Sequence, residues 1–142
     1  MNLTDTDKDN IRKILAMEPS IEIAYLYGSV AMGIAGENSD IDIGVLLNSS
    51  YVDILDYKFE SNLALKIEAV LKKEVDLRII NKAPIYAQYE VIKPVQPIYC
   101  ANDSVRINFE TQVLSQYLDM LPYWELYDKY RSLRIERGEF GA

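Results

Sequence analysis

Hydrophobic and polar positions alternate along this chain with two different periods, and the changes of period mark the elements. Ile11, Ile14 and Leu15 recur at helical spacing behind Thr4 and Asp5, either of which can cap a helix running to about Met17, where Pro19 ends it. Residues 21–27 then alternate as a strand, Ile-Glu-Ile-Ala-Tyr-Leu-Tyr. Gly28-Ser29 turns the chain into a short helical segment over residues 30–35, and residues 36–39, Gly-Glu-Asn-Ser, have turn chemistry. A second strand follows from Asp40 to Leu47. From 52 to 72, Leu55, Phe59, Leu63, Ile67, Val70 and Leu71 fall three and four apart, which predicts a long amphipathic helix capped by a serine of the preceding loop. Residues 74–80 alternate again. Pro84 opens a helix to about Ile92, and Ile98 to Cys100 reads as a short edge strand. Asp103 or Ser104 caps a last helix through Phe109, Val113, Leu114, Tyr117, Leu118 and Leu121. Pro122 is expected to kink or split it before a second stretch to about Arg134.

Strand, crossover helix, strand is the order of a mixed or partly parallel sheet. The expected class is α/β (α+β), a small mixed sheet flanked by helices. With 142 residues the chain fits one domain. Residues 1–122 are expected to form it, with 123–142 a helical extension that belongs to the same domain or binds a partner.

Composition removes several chemistries. There is no histidine, so imidazole acid–base catalysis, Ser-His triads and histidine zinc sites are excluded. The single cysteine, Cys100, forbids an intramolecular disulfide and reads as a buried, inert thiol in an apolar run. With 22 acids against 15 bases the net charge is −7, which disfavours a polynucleotide substrate because phosphate backbones are bound mainly by Lys and Arg. The start of the chain is polar and acidic and no apolar run is long enough for a membrane span, so a soluble, cytoplasmic protein is expected.

The candidate chemistry lies in the two strands around Gly28. Aspartate is disfavoured in strands, yet Asp40 and Asp42 open the second one. Positions two apart share a face, so the two carboxylates project together while Ile41, Ile43 and Val45 turn to the core. Two such charges about 4 Å apart repel by roughly 4 kcal/mol at an effective dielectric near 20. A divalent cation relieves that cost. In the strand at 74–80, Asp76 and Arg78 share the polar face, and pairing this strand beside the second brings Asp76 to the other two acids. Three carboxylates suit Mg²⁺, which takes oxygen ligands and keeps waters and substrate phosphates in its shell. Two ions about 3.5–4 Å apart can hold both oxygens of a phosphoryl displacement. Gly28 lets backbone approach a phosphate, and the following N–H groups with the Ser29 hydroxyl can bind the outer phosphates. A lone Gly-Ser turn or Asp-x-Asp is usually only a turn or a solvated edge. The specificity lies in the order: strand, Gly-Ser, ten residues, Asp-x-Asp, helix, strand with Asp. The chemistry it suits is nucleotidyl transfer with pyrophosphate leaving.

That order resembles the minimal nucleotidyltransferases of the DNA-polymerase-β-like superfamily. More narrowly the chain is similar to the MntA-type antitoxins, through Asn81-Lys-Ala-Pro84, Tyr89-Glu-Val-Ile92, the strand near Pro97 to Tyr99, Phe109-Glu110 and Tyr117-Leu-Asp119. The resemblance implies an enzyme that uses ATP and Mg²⁺ to place AMP on a tyrosine of a HEPN-domain ribonuclease toxin, silencing it and forming a complex with it. It implies that Gly28 and Ser29 bind ATP phosphates, that Asp40 and Asp42 bind metal, and that Asp76 is the third carboxylate, accepting or orienting the tyrosine hydroxyl proton. The chain departs from the pattern at Met32, where relatives commonly carry Arg. Arg78 either compensates for that charge or pairs with a carboxylate at the surface, the second being preferred. The tyrosines 123, 127 and 130 form one stripe, expected to pack on the domain, with a toxin-binding patch as the alternative. Two other function classes stay open: a nucleotidyltransferase acting on a small-molecule or RNA hydroxyl, and a noncatalytic antitoxin that binds its toxin sterically.

Overall fold

A computed structural model describes residues 3–28, 40–55, 57–94 and 96–136. Ser29, Met32, the segment 30–35 and the loop 36–39 lie outside the described residues, so the expectations that fall on them are untouched here.

Helix α1 spans Asp5–Ala16 and Thr4 caps it. The Thr4 hydroxyl accepts from the Asp7 N–H at 3.0 Å while the Asp7 carboxylate accepts from the Thr4 N–H at 3.2 Å, satisfying two helix-end donors reciprocally. Strand β1 is Ile21–Tyr27 and β2 is Ile41–Leu47. They pair antiparallel. Helix α2, Phe59–Leu71, crosses to β3, Val75–Ile79, which lies parallel to β2. Helix α3 is Ile85–Ile92, β4 is Tyr99–Cys100 at the other edge, antiparallel to β1, and α4 is Asp103–Glu136. The strand order is β3-β2-β1-β4, a mixed sheet as the element order predicts.

The alternation in β2 divides the core. Ile41, Ile43 and Val45 are fully buried against Ile11 and Leu15 of α1 and Leu63 and Ile67 of α2. The opposite face of the sheet, with Ile23, Tyr25 and Leu46, packs on Val91 and Ile92 of α3 and Val113 of α4. Gly44 sits on that second face because α3 passes too close for a side chain: a Cβ there would stand 2.7 Å from Val91 Cγ1. Tyr25 is fully buried and spends its hydroxyl on the Glu110 carboxylate at 3.2 Å, which Arg106 also meets at 3.3 Å. Burial and Glu110 together push the phenol's pKa far up, so it stays protonated.

Three boundaries differ from expectation. Helix α2 starts at Phe59, not near residue 52, and no serine caps it. Asn48 takes the Ser50 N–H and hydroxyl on its own side chain, and residues 51–54 form turns. Val52 and Leu55 still pack on the core, so the apolar spacing was right while the backbone pattern was not helical. At α4 the cap is Asn102, one residue before the expected pair, accepting from Ser104 N and Val105 N at 3.0 and 3.3 Å. The helix then continues through Pro122 unsplit. Proline removes the bond to the carbonyl of Leu118, and that turn is exposed to water, which can replace the lost donor. Cys100 is half-buried rather than buried. Burial raises its pKa and its thiol lies 3.5 Å from Asp103 Oδ1, so the inert reading holds for a different degree of cover.

Candidate active site at the open end of the sheet

Topology brings the candidate positions to one end. Strand β1 finishes where β2 starts, and β3, parallel to β2, starts beside it. The register is specific: Tyr27 lies opposite Asp42, and Asp42 opposite Asp76. Residues directly across a ladder share a face, with neighbouring Cβ atoms ~5 Å apart. Tyr27, Asp42 and Asp76 therefore form a row across three strands, on the face that α3 covers farther along at Gly44. Asp40 stands exposed just before β2.

Gly28 closes the end of the row. Its φ is +75°, in the left-handed region, and a Cβ there would lie 2.5 Å from Asp42 Oδ2. Both facts demand glycine: the backbone turns sharply against the carboxylate and leaves no space for a side chain.

The electrostatics reflect crowding of like charge. Burial raises the Asp42 pKa above the ordinary carboxylate range, and Asp76 and then Asp40 raise it further, with Arg78 partly opposing them. Tyr27 is raised by burial, then by Asp42 and Asp76. Arg78 Nε holds Asp76 Oδ2 at 3.2 Å in a largely exposed pair, the surface ion pair that was preferred for it. Among the described residues no group of three or more His, Cys, Asp or Glu side chains is gathered closely enough to cage a metal alone. The fold thus brings Asp42 and Asp76 to adjacent positions, with Asp40 near enough to act on Asp42, without closing all three on one point. Oxygen-only donors whose mutual repulsion Arg78 relieves only in part fit a hard cation, and Mg²⁺ usually completes its shell with waters and substrate phosphates rather than with a protein cage.

Tyr27 was visible only as part of a strand. Its place in the row depends on the β1–β2 register, and only an argument about how the two strands pair would have found it.

The polymerase beta nucleotidyltransferase family matches residues 9–104, a span holding Gly28, Asp40, Asp42 and Asp76. The chain belongs to that family. Among curated relatives of this nucleotidyltransferase is the protein adenylyltransferase MntA of Shewanella oneidensis, 29% identical over 99 residues that make up 70% of this chain and 68% of the relative. Among solved structures, a toxin–antitoxin crystal structure with AMP-PNP superposes with a TM-score of 0.70 at 26% identity, covering 87% of this chain and 97% of that one. The complex of a tri-AMPylated Shewanella oneidensis HEPN toxin with its MNT antitoxin matches at 23% identity and a TM-score of 0.68 over 90% of this chain and 98% of that one, a likeness of fold.

The long helix tells against one expectation. Tyr123, Tyr127 and Tyr130 are 68, 62 and 61% exposed, so the stripe does not pack on the domain. The contact ends earlier, where the Tyr117 ring stacks on Tyr89 at 3.7 Å and Trp124 tilts against Tyr117 at 5.4 Å. No helix among the described residues is long and apolar enough to cross a membrane.

Proposed function

We propose that this nucleotidyltransferase is the antitoxin of a toxin–antitoxin pair and a protein adenylyltransferase, moving AMP from ATP to a tyrosine of a HEPN-domain ribonuclease in the cytoplasm. The observation that carries the reading is the row Tyr27–Asp42–Asp76 ending at the positive-φ Gly28, in a chain similar to an enzyme named protein adenylyltransferase and to a toxin–antitoxin structure containing an ATP analogue.

Each residue has a part. Gly28 and Ser29 hold the β and γ phosphates through backbone N–H groups and a hydroxyl. Asp40 and Asp42, with Asp76, are the ligands for Mg²⁺, two ions being expected. The metal supplies charge neutralisation at the phosphate oxygens. Asp76 orients the acceptor hydroxyl and takes its proton as the phenol oxygen bonds to the α-phosphorus and pyrophosphate departs. Residues 1–122 form the catalytic domain, and 123–142 are the extension that meets the toxin; its part to Glu136 continues α4, and the toxin gives the exposed tyrosines a partner.

Incubation of the protein with labelled ATP, Mg²⁺ and the neighbouring gene product tests this. Label on a tyrosine of that partner is the expected result. Binding without transfer makes the protein a steric antitoxin, and transfer to another hydroxyl reassigns the acceptor.

A further inference from the structure

On the outer edge of β3, away from β2, the structure holds a cleft of about 340 Å³ between that strand and α2. Strand alternation turns the amides of Val75, Leu77 and Ile79 outward, since Ile80 N–H on the other side reaches Val45 of β2. Glu60, Ala64 and Glu68 lie four apart on α2 and face this edge as one row. The two glutamates close its ends: Glu68 accepts from Val75 N–H at 2.9 Å and Glu60 from Ile79 N–H at 3.2 Å. Between them Ala64 is too short to reach the strand, and opposite it Leu77 presents its backbone to the open cleft. Carboxylates on the flanking rungs stop a long strand from adding to this edge. What stays open is one rung wide.

The cleft shares Asp76 with the carboxylate row, so whatever enters it reaches the reacting group from the side opposite Gly28. Its size is at the lower limit of small-molecule sites, room for one side chain rather than a nucleoside triphosphate. Its charge also disfavours phosphate: Glu60 and Asp76 line it, Arg78, the cation among its described lining residues, is already paired with Asp76, and the Lys58 ammonium at its mouth lies over the Tyr57 ring at 5.7 Å. Its floor, by contrast, is Ala64 with Val75 and Leu77, and Tyr57, 86% exposed, stands at its mouth.

We infer that this cleft is the acceptor subsite: it receives the tyrosine side chain of the partner protein, with the ring on the Ala64 floor against Tyr57 and the hydroxyl directed to Asp76. The inference rests on the adenylyl-transfer reading. The chemistry balances within it. The phenol oxygen forms a bond to the α-phosphorus of ATP, the bond from that phosphorus to the bridging oxygen breaks, pyrophosphate leaves with the electron pair, and the phenol proton passes to the Asp76 carboxylate and on to water. Tyr57 and Ala64 are specificity residues here, and Glu60 is a positioning residue that holds the wall.

Ser61→Trp, at an exposed helix position on the cleft, fills it without touching the core, and Tyr57→Ala removes its mouth. With the HEPN-domain partner as acceptor, both variants are expected to raise the KM for the partner about tenfold or more, while the Kd for a non-hydrolysable ATP analogue stays at the wild-type value. Wild-type KM in both variants, with wild-type transfer intact, overturns the cleft and leaves the function standing. Absence of AMP transfer by the wild-type protein overturns the function, and the acceptor subsite with it. A matching rise in the Kd for the analogue also overturns it, because the cleft would then serve the nucleotide.

Discussion

The open end of the sheet and the distal half of α4 are opposites in chemistry and alike in what they lack. At the sheet end, Asp42 and Asp76 are held next to one another by backbone register, and burial with the Asp76 charge raises the cost of ionising Asp42. Along α4 beyond Trp124, Leu126, Tyr127 and Tyr130 lie more than half exposed on a helix whose 34 residues span about 50 Å. Neither arrangement stabilises the domain: one concentrates like charge, the other leaves aromatic area in water. The difference lies in what each needs. In the proposed function a cation and a triphosphate would complete the carboxylates, and another protein would cover the helix. Stability is supplied elsewhere, by the two buried faces of β1 and β2.

The largest effect should come from the carboxylate row. Asp42→Asn is expected to lower AMP transfer by about a thousandfold, the scale of several kcal/mol of lost charge stabilisation in the transition state, read with labelled ATP. Without Mg²⁺ the same change should raise the melting temperature, because it removes a destabilising charge. The pH dependence fixes the sign. A carboxyl whose folded pKa is raised keeps its proton longer in the native than in the unfolded state, so its contribution to stability falls as pH rises through the folded value. The gap between variant and wild type should therefore open above that pKa and close as pH falls below the unfolded value near ~3.9. A gap that grows on acidification would break the account of the sheet end.

Gly28→Ala comes next. The left-handed φ and the approach of a Cβ to 2.5 Å of Asp42 Oδ2 predict a loss of about 2 kcal/mol in urea unfolding. An unchanged urea midpoint would show that the turn can relax away from the carboxylate.

On the helix side, Tyr127→Ser combined with Tyr130→Ser should weaken toxin binding roughly tenfold by calorimetry and leave the unfolding free energy within about 0.5 kcal/mol. Lost stability with intact binding would reverse the comparison and make the stripe part of the domain. The smallest effect belongs to Arg78→Ala. Its exposed pair with Asp76 is worth little, so neither the melting temperature nor the Kd for ATP should move measurably. A clear loss of ATP affinity would give Arg78 the role left open by Met32.

Much of this molecule could be read from the residues in order. Period-two alternation located β1, β2 and β3 to within a residue or so, because a strand with buried and half-buried faces writes its geometry into its composition. The Asp-x-Asp at 40 and 42 stood out because aspartate is costly there, and Gly28 because of its company. What alternation could not supply was the start of α2, where turns at 51–54 carry helically spaced apolar residues, or the course of α4 through Pro122.

The sequence by itself determined which face of each strand is apolar, since side-chain direction follows from position parity alone. Only the tertiary structure decided that Tyr27 stands opposite Asp42 and that Ala64 leaves one rung of β3 open. Those depend on register and on the distance between elements far apart in the chain, quantities that no local pattern encodes.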